Sequence, residues 1–476
     1  MIKKMEKNVM ETTNQQTEQI EPIHAKDHPV SRSSLLEIIR SSQVLKIALI
    51  SFLTLLLQIP ILMISSTVSE RQLRSNEAVD EIASKWGREQ SIIGPFITVP
   101  FEREVVQVQQ TAGQIENRQS TVVVEYAHFL AEELKIEGKT ENLFRHRGIF
   151  EIPVYRLALT LSGRFNRPDF SDFGVTPKKI FWERAFLTLL ISDPRAITDQ
   201  TKLIWNNEKI EFQPKNGDFM PASKGIQVML KDQLKAESFT FSCPLALQGS
   251  RGLFFAPTGR TTSATIEANW PDPSFQGNWL PVEQTIADSG FRANWQITSL
   301  GRNFSQRWIE NQKTSQQTPA ELFGVNFIRP VDTYRMAERS AKYQFLFLAL
   351  TFVTLWLFEV LAKVRLHALH YLLVGGGMCL FFLLELSLAE HLGFFIAYFL
   401  AASSIVLLES CYCLVILKSP KRSVILGSFI ALLYGYLYTL LVNQDYALLA
   451  GSVGLFLLLA TIMYLTRKVD WFNMKI

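Results

Sequence analysis

The sequence predicts a membrane protein with six transmembrane α-helices and one large, mostly-β extracytoplasmic domain. Six apolar stretches, each of about 20 residues, are long enough to cross a hydrocarbon core as helices. Between the first and second stretch, apolar and polar residues alternate with the period of two that is typical of β-strands. Lysine and arginine collect beside alternate ends of the apolar stretches, which fixes a direction for each crossing.

The N-terminal part predicts a tail followed by a signal anchor. Residues 1–43 are rich in Gln, Thr, Glu, Lys and Ser, and we expect a disordered cytoplasmic tail. The stretch "VLKIALISFLTLLLQIPILMI", Val44–Ile64, predicts the first span, with Pro60 tolerated near its outer end. It is too long for an ordinary cleaved signal peptide, so we expect it to be retained. The polar stretch "RQLRSNEAVDEIASKWG" has helical spacing and predicts a continuation beyond the membrane.

Residues 65–342 predict a mostly-β periplasmic domain with helical ends near the membrane. In "GIFEIPVYRLALTLSGRF", four apolar residues fall on one face of a strand: Tyr155, Leu157, Leu159 and Leu161. The stretch "IWNNEKIEF" predicts two short strands around an Asn-Asn turn. The domain is large for one sheet system, and two packed subdomains are the alternative.

The remaining apolar stretches predict a five-helix transmembrane domain over residues 343–466 and a short tail over residues 467–476. The predicted spans are Tyr343–Ala362, Ala368–Leu388, Gly393–Leu417, Val424–Val442 and Ala447–Thr466. Lysine and arginine follow the second, fourth and sixth spans, whereas "AEHL" and "NQDY" between the others contain neither. The positive-inside rule therefore predicts that both termini are cytoplasmic and the β domain is periplasmic.

Three carboxylates lie within the predicted spans. Glu359 precedes Lys363 by four residues, which favours an interfacial ion pair. Glu385 and Glu409 lie deeper and allow two interpretations: hydrogen bonding between helices, or a path for protons or solutes. Their positions near opposite membrane faces favour the first interpretation. In that interpretation, the candidate hydrogen-bond partners of the two carboxylates are Tyr398, Tyr412 and Ser403.

Two other features of the spans have structural interpretations. Glu390 and His391 fall in an outer hairpin, where we expect both side chains to be solvated. The run Gly375–Gly377 predicts close packing of the third span against a neighbouring helix.

The residues do not favour an enzyme. The predicted β domain has no G-x-S-x-G, H-E-x-x-H, P-loop or Cys-x-x-Cys motif. His128 and His146 are far apart in sequence, and each is expected at the surface or in the core. One cysteine, Cys243, lies outside the apolar stretches, so no disulfide is expected within the β domain. A net charge of +4 argues against nucleic-acid binding. We expect no catalytic residues, no cofactor and no metal site.

Several stretches together resemble a known family. They include "WGREQSIIGPFITVPF", "FFAPTGRTTSATIEANWPDPSFQGNWLP" and "GVNFIRPVDTYRMAERSAKYQFLFLALTF". From about residue 66 onward, the chain resembles the CreD-type inner-membrane proteins of the cell envelope integrity family. The resemblance implies a bacterial inner-membrane protein associated with colicin tolerance and with a two-component system that responds to envelope and β-lactam stress. It implies no catalytic residue set.

Two functions remain open at this point. The first is periplasmic binding or scaffolding, with the lipid bilayer and an unknown envelope or inner-membrane protein as partners. The segment "RPVDTYRMAERSAKYQ" favours this function, because its side chains are spaced to couple the β domain to the membrane surface. A solvated juxtamembrane helix fits the same segment equally well. The residues concerned are Arg329, Asp332, Tyr334, Arg335, Glu338, Arg339 and Lys342. The second function is a transporter or channel that uses Glu385 and Glu409.

Overall fold

The computed structural model describes residues 43–109, 117–215, 224–310, 321–327, 333–362, 364, 366–443 and 446–467. The chain divides into two compact units. The first unit comprises Met1–Ile64, Arg339–Leu384 and Phe399–Ile476, and the second comprises Ser65–Glu338 and Glu385–Tyr398. Both predicted tails lie outside the described residues, apart from the positions nearest the first and last helices.

The predicted set of six membrane-crossing helices is confirmed for the described part of the chain. The helices are α1 Gln43–Leu56, α2 Gln58–Trp86, α3 Thr333–Ala362, α4 Ala368–Leu392, α5 Phe394–Leu417, α6 Pro420–Val442 and α7 Ala447–Thr466. The first crossing is shared by α1 and the beginning of α2. They are separated by a turn at Leu57, close to Pro60, which has no N–H to donate to the carbonyl of Leu56. As predicted, the polar sequence after the first span remains helical as far as Trp86.

The third helix begins well before its apolar part. α3 starts at Thr333, whereas the apolar stretch that predicts the span starts at Tyr343. The intervening residues are mostly good helix formers, including Met336, Ala337 and Ala341, so the helix extends through polar sequence.

Small residues allow close packing inside the helical unit. A Cβ atom added at Gly375 would lie 2.3 Å from Cδ1 of Leu57 and 2.7 Å from the ring of Phe352. The predicted close packing is therefore confirmed at Gly375, whereas a Cβ atom added at Gly376 would meet no atom within 4 Å. Between α5 and α6, the Ser423 hydroxyl donates to the carbonyl of Ser410 at 2.6 Å.

The second unit is built from strands that pair mostly antiparallel. The strands are β1 Gln90–Gln109, β2 Asn117–Arg147, β3 Phe150–Asn166, β4 Lys179–Ile180, β5 Phe186–Ile191, β6 Lys202–Trp205, β7 Glu208–Glu211, β8 Gln213–Pro214, β9 Gly225–Met229, β10 Ser238–Ser250, β11 Gly252–Phe255, β12 Gly259–Ala268, β13 Pro273–Gly277, β14 Glu283–Ala287, β15 Gly290–Thr298, β16 Arg307–Glu310 and β17 Phe323–Phe327. Parallel pairing joins β1 to β11 and β12 to β2.

Strand β2 connects two sheets. Its first part pairs with β1, with Phe96 opposite Leu130, and its second part pairs with β3, with Ile136 opposite Leu161. One sheet continues from β1 through β5 to β9. The other runs from β14 through β15, β12, β2, β3, β10 and β6 to β7. Buried residues from both sheets form one hydrophobic core.

Strand alternation places the core residues as predicted. The side chains of Tyr155, Leu157, Leu159 and Leu161 on β3 are all buried. Strands β6 and β7 form the predicted hairpin, and both asparagines of its turn have positive φ, as a two-residue hairpin turn of this kind requires. The sequence pattern is thus sufficient to predict which faces of these strands are buried.

Candidate functional site

Glu359 is the most fully paired of the carboxylates in the spans. Its side chain is buried, and the ammonium group of Lys46 donates to Oε1. The backbone N–H of Leu366 also donates to Oε1, at 3.2 Å, and the Tyr371 hydroxyl donates to Oε2 at 3.2 Å. The predicted partner Lys363 lies outside the described residues. The observed partners are not neighbours of Glu359 on its own helix, so no local spacing indicated them.

The Glu359 contacts bring helix ends together within the helical unit. Lys46 lies in the first turn of α1, and Glu359 lies in the last turn of α3. Tyr371 lies near the beginning of α4. The carboxylate therefore links three helices, and burial of its charge is compensated by an ion pair and two neutral donors.

Glu409 differs from Glu359 because its carboxyl group has no hydrogen-bond partner among the described residues. The side chain is 2% exposed, and neither oxygen is bonded. Oε1 would lie 3.2 Å from a Cβ atom built at Gly377, so the absence of a side chain there leaves room for the carboxyl group. The predicted partner Tyr412 instead bonds His370, with 2.9 Å between the hydroxyl and Nδ1. The arrangement leaves Glu409 able to take up a proton or to bond a polar solute.

Glu385 is also buried, but it belongs to the second unit, whereas Glu359 and Glu409 belong to the first. The other two predicted partners of Glu385 and Glu409 differ in exposure: Tyr398 is buried, whereas Ser403 is exposed. Within the described ranges, no group of three or more His, Cys, Asp or Glu side chains is arranged to hold a metal ion.

The predicted coupling residues have different environments. Arg329 and Asp332 lie outside the described residues. Tyr334 is buried, and its hydroxyl donates to Oε1 of Glu390 at 3.0 Å. Its ring packs near Phe150, with 6.4 Å between the ring centroids. Tyr334 therefore anchors the beginning of α3 within the second unit.

The remaining coupling residues lie further along α3. Arg335, Glu338 and Lys342 are exposed. Arg339 begins the part of α3 that belongs to the helical unit, and its guanidinium donates to the carbonyl of Leu440 at 3.2 Å. This contact joins the Arg339 side chain on α3 to the end of α6 within the helical unit.

The expectation of a solvated Glu390 is wrong. Its side chain is only 8% exposed, with Nε of Arg71 3.6 Å from Oε1 in addition to the Tyr334 hydroxyl. The polar half of α2 supplies Arg71, and the beginning of α3 supplies Tyr334. The hairpin sequence alone could not indicate these partners. His391 is exposed, as expected.

His128 is a core residue of the β domain, one of the two expected positions. Its Nδ1 is 2.9 Å from the Thr98 hydroxyl, and its Nε2 is 3.5 Å from Oε2 of Glu310. The ring stacks on Trp308, with 4.9 Å between centroids. Burial lowers the pKa of His128 below the ordinary value of 6.5, against the opposing effect of Glu310. His146, in contrast, is exposed.

Comparisons with known proteins agree with the architecture. Residues 42–472 match the family described as "Inner membrane protein CreD". The chain is 31% identical over 421 residues to the inner membrane protein CreD of Escherichia coli (strain K12), covering 88% of this chain and 91% of that protein. Among solved structures, native yeast LTA4 hydrolase aligns with 47% of this chain and 35% of its own at 9% identity. Its TM-score of 0.18 is too low to inform the fold.

Proposed function

Because the chain belongs to the CreD family of inner-membrane proteins, we propose that it supports the integrity of the bacterial cell envelope by binding, without catalysis. In this proposal, the β domain stands on the periplasmic side and contacts an envelope or inner-membrane protein. The apolar helices anchor it in the bilayer, and neither a cofactor nor nucleic acid takes part. Loss of the protein then weakens resistance to envelope stress such as colicins and β-lactams.

The contact between Lys46 and Glu359 supports this topology. It joins the first turn of α1 to the last turn of α3, so these two ends belong to the same side of a membrane. A chain that leaves through the first crossing and returns through α3 carries residues 90–327 on the opposite side. The link between α5 and α6 contains Lys418, Lys421 and Arg422, which favours the cytoplasm for that link.

The observation that carries a binding role is an exposed apolar stripe at one edge of the β domain. Leu280, Val282 and Ile286 are 70%, 68% and 49% exposed; the first two directly precede β14, and Ile286 lies within it. Strand β14 pairs with β15 along one side, and all five of its residues are exposed. An open strand edge with apolar side chains can accept an extended segment of another protein.

A photo-crosslinking amino acid at Val282 tests this role in the native membrane. We expect a specific adduct with another envelope protein, and no such adduct from the same amino acid at Lys209, an exposed position on the edge strand β7. The double substitution Val282→Ser with Ile286→Ser should lower resistance to envelope stress, while Thr285→Ser on the same strand should not. Full resistance in the double variant and after removal of residues 90–327 would overturn the proposal.

Orientation can be measured separately by labelling thiols with a membrane-impermeant maleimide. In a chain carrying Cys411→Ser, we expect Glu283→Cys to react once the outer membrane is opened. Lys421→Cys should react only after the inner membrane is breached. Cys243 should stay unlabelled in the folded protein, because burial raises the pKa of its thiol to about 12. The opposite pattern of labelling would reverse the assigned sides.

Transport is a second candidate function, and it is favoured by the buried carboxyl group of Glu409, which has no hydrogen-bond partner in the part of the chain that the structure describes. The two candidates separate genetically. If Glu385→Gln and Glu409→Gln retain resistance while removal of residues 90–327 abolishes it, binding is supported. If the carboxyl groups are required and the β domain is dispensable, transport replaces binding.

A further inference from the structure

A cleft of about 850 Å³ lies within the second unit. One wall is a single face of α2, formed by Gln72, Ser75, Asn76 and Val79 at helical spacing. The lining also includes Ile149 from the turn between β2 and β3 and Phe150 at the beginning of β3. The volume falls in the range of sites that bind small molecules.

The helical walls of the cleft come from the polar ends of membrane-crossing helices. α2 contributes residues beyond the apolar half of the first crossing, and α3 contributes Thr333–Arg335 ahead of its apolar part. Ala389–His391 end α4, and Gly393 connects to α5. Ala389–His391 follow directly on the apolar part of α4, at the level of lipid headgroups, whereas Gln72 lies eight residues beyond Ile64 and Arg335 eight residues before Tyr343. The cleft therefore begins at the headgroup level and extends away from the membrane by about 12 Å or more along the helices.

The cleft carries charged groups of both signs. Its carboxylates are Glu89, Glu151 and Glu390, and its basic side chains are Arg251, Arg335, His146 and His391. A lining of one sign would select a simple anion or cation. A mixed lining is complementary to a zwitterion, whose two charges each find an opposite partner.

The buried acceptors of the cleft point to a cation that carries N–H groups. The Glu390 side chain is 8% exposed, and its Oε1 accepts from the Tyr334 hydroxyl at 3.0 Å and lies 3.6 Å from Nε of Arg71, which leaves Oε2 for a further donor. Two further oxygens in the lining, Oε1 of Gln72 and Oδ1 of Asn326, are buried without a hydrogen-bond partner in the described part of the chain. A primary ammonium offers three N–H donors to such acceptors, whereas a trimethylated ammonium offers none.

The guanidinium groups are suited to the anionic half of the same ligand. Arg251 is half exposed, with Asp80 at 2.7 Å, and Arg335 is exposed on the first turn of α3. Guanidinium groups bind phosphate oxygens through paired N–H donors. The nearby side chains of Ile149 and Phe150 provide apolar surface for the carbon chain that a phosphate ester carries.

We propose that this cleft binds the phosphoethanolamine group of a membrane phospholipid. Arg251 and Arg335 contact the phosphate, and Glu390 receives the primary ammonium. The lipid site stands independently of the proposed scaffold role, because it involves neither the β14 edge nor an envelope partner.

Native mass spectrometry of the detergent-solubilised full chain tests this site. Equimolar dioleoyl phosphatidylethanolamine, phosphatidylcholine and phosphatidylglycerol are offered together. We expect phosphatidylethanolamine to bind most tightly, by about tenfold over phosphatidylcholine, the size of one charge-assisted hydrogen bond. Glu390→Gln should abolish that preference, since it removes the charge and keeps an acceptor for Tyr334. Arg335→Gln should weaken the binding of all three lipids, since each carries the phosphate that Arg335 contacts in this proposal.

The matched control is Glu137→Gln, an exposed carboxylate on β2 paired with Lys135, which should leave lipid binding unchanged. Circular dichroism verifies that each variant is folded. Adding soluble phosphorylethanolamine shows whether the free headgroup or the whole lipid is the ligand. If it displaces bound phosphatidylethanolamine, the headgroup is sufficient for binding. If the lipid stays bound and the preference for phosphatidylethanolamine is retained, the site requires a membrane lipid. Equal binding of the three lipids by the wild type would overturn the proposal. So would an unchanged preference in Glu390→Gln together with an unchanged affinity in Arg335→Gln.

Discussion

Replacing Glu359 with glutamine should destabilise the helical unit, because three donors converge on its carboxylate. The ammonium of Lys46 and the amide of Leu366 donate to one oxygen, and the Tyr371 hydroxyl donates to the other. Glutamine keeps a single carbonyl oxygen and introduces an NH₂ group where an acceptor is needed. At least one donor therefore loses its partner, and the positive charge of Lys46 loses its counter-charge.

The magnitude follows from burial. The Glu359 side chain is 2% exposed and the Lys46 side chain 27%, so the ion pair is partly screened by solvent. We assign about 1–2 kcal/mol to the lost charge-assisted bond, the low end of its range, and about 1–2 kcal/mol to the stranded neutral donor. The free energy of unfolding should fall by about 2–4 kcal/mol. Lys46→Met should cost a similar amount, because it leaves a buried carboxylate without its cation.

Equilibrium unfolding in mixed micelles, followed by the helical circular dichroism signal, measures these changes. The double variant Lys46→Met with Glu359→Gln completes a cycle, and its cost should be less than the sum of the single costs by about 1–3 kcal/mol. Thr354→Val on the same helix is the control, since the Thr354 hydroxyl donates to the carbonyl of Leu350 within its own helix. We expect that control to change stability by less than about 0.5 kcal/mol.

Two outcomes would refute this account of Glu359. A change in unfolding free energy no larger than that of Thr354→Val would mean that the carboxylate is not held by its three donors. Strictly additive single costs in the cycle would mean that Lys46 and Glu359 do not interact. In either case the joining of the α1 and α3 ends would lose its energetic basis.

Three further predictions concern the β domain, each checked by chemical denaturation with tryptophan fluorescence. Burial lowers the pKa of His128 in the folded state. The contribution of neutral His128 to the free energy of unfolding is therefore full above pH 6.5 and is lost as the pH falls through the folded pKa. His128→Gln should flatten this pH dependence. Gly324→Ala should lower the free energy of unfolding by more than about 2 kcal/mol, since the new Cβ atom would lie 2.1 Å from the carbonyl oxygen of Leu253. Its control is Gly174→Ala, where the new Cβ atom would meet no atom within 4 Å. That variant should cost about 1 kcal/mol because of the positive φ of Gly174. Leu203→Ala should cost about 2–5 kcal/mol because the side chain is fully buried, and Leu280→Ala, at 70% exposure, should cost less than about 0.5 kcal/mol.

The parts of the fold that follow from local patterns could be predicted from the sequence. Hydrophobic length determines a membrane span, and strand alternation determines which face of β3 is buried. The Asn206–Asn207 turn is likewise local, since both residues tolerate the positive φ that it needs. These features depend on neighbours within a few residues, and so the sequence shows them directly.

The contacts of the candidate sites could not be predicted in this way. Lys46 and Glu359 are separated by 313 positions, and Tyr334 and Glu390 by 56. Their pairing depends on which helices are adjacent, and no periodicity encodes that. Its place in a predicted outer hairpin suggested a solvated Glu390, but tertiary packing brought Arg71 and Tyr334 to it and excluded most of the solvent.

Burial alone therefore does not distinguish the carboxylates of these spans, whereas their hydrogen-bond partners among the described residues do. Glu359 is stabilised by its donors, but Glu409 is buried with both oxygens unbonded in the described structure. An unsatisfied buried polar group costs about 1–3 kcal/mol, so replacing it with methionine of similar length should raise the unfolding free energy by about that amount. A stabilised Glu409→Met variant that loses envelope-stress resistance would show that the carboxyl group is retained for activity at the expense of stability. If Glu409→Met is instead less stable by more than about 1 kcal/mol, the carboxyl group has a stabilising partner, and the transport candidate loses its support.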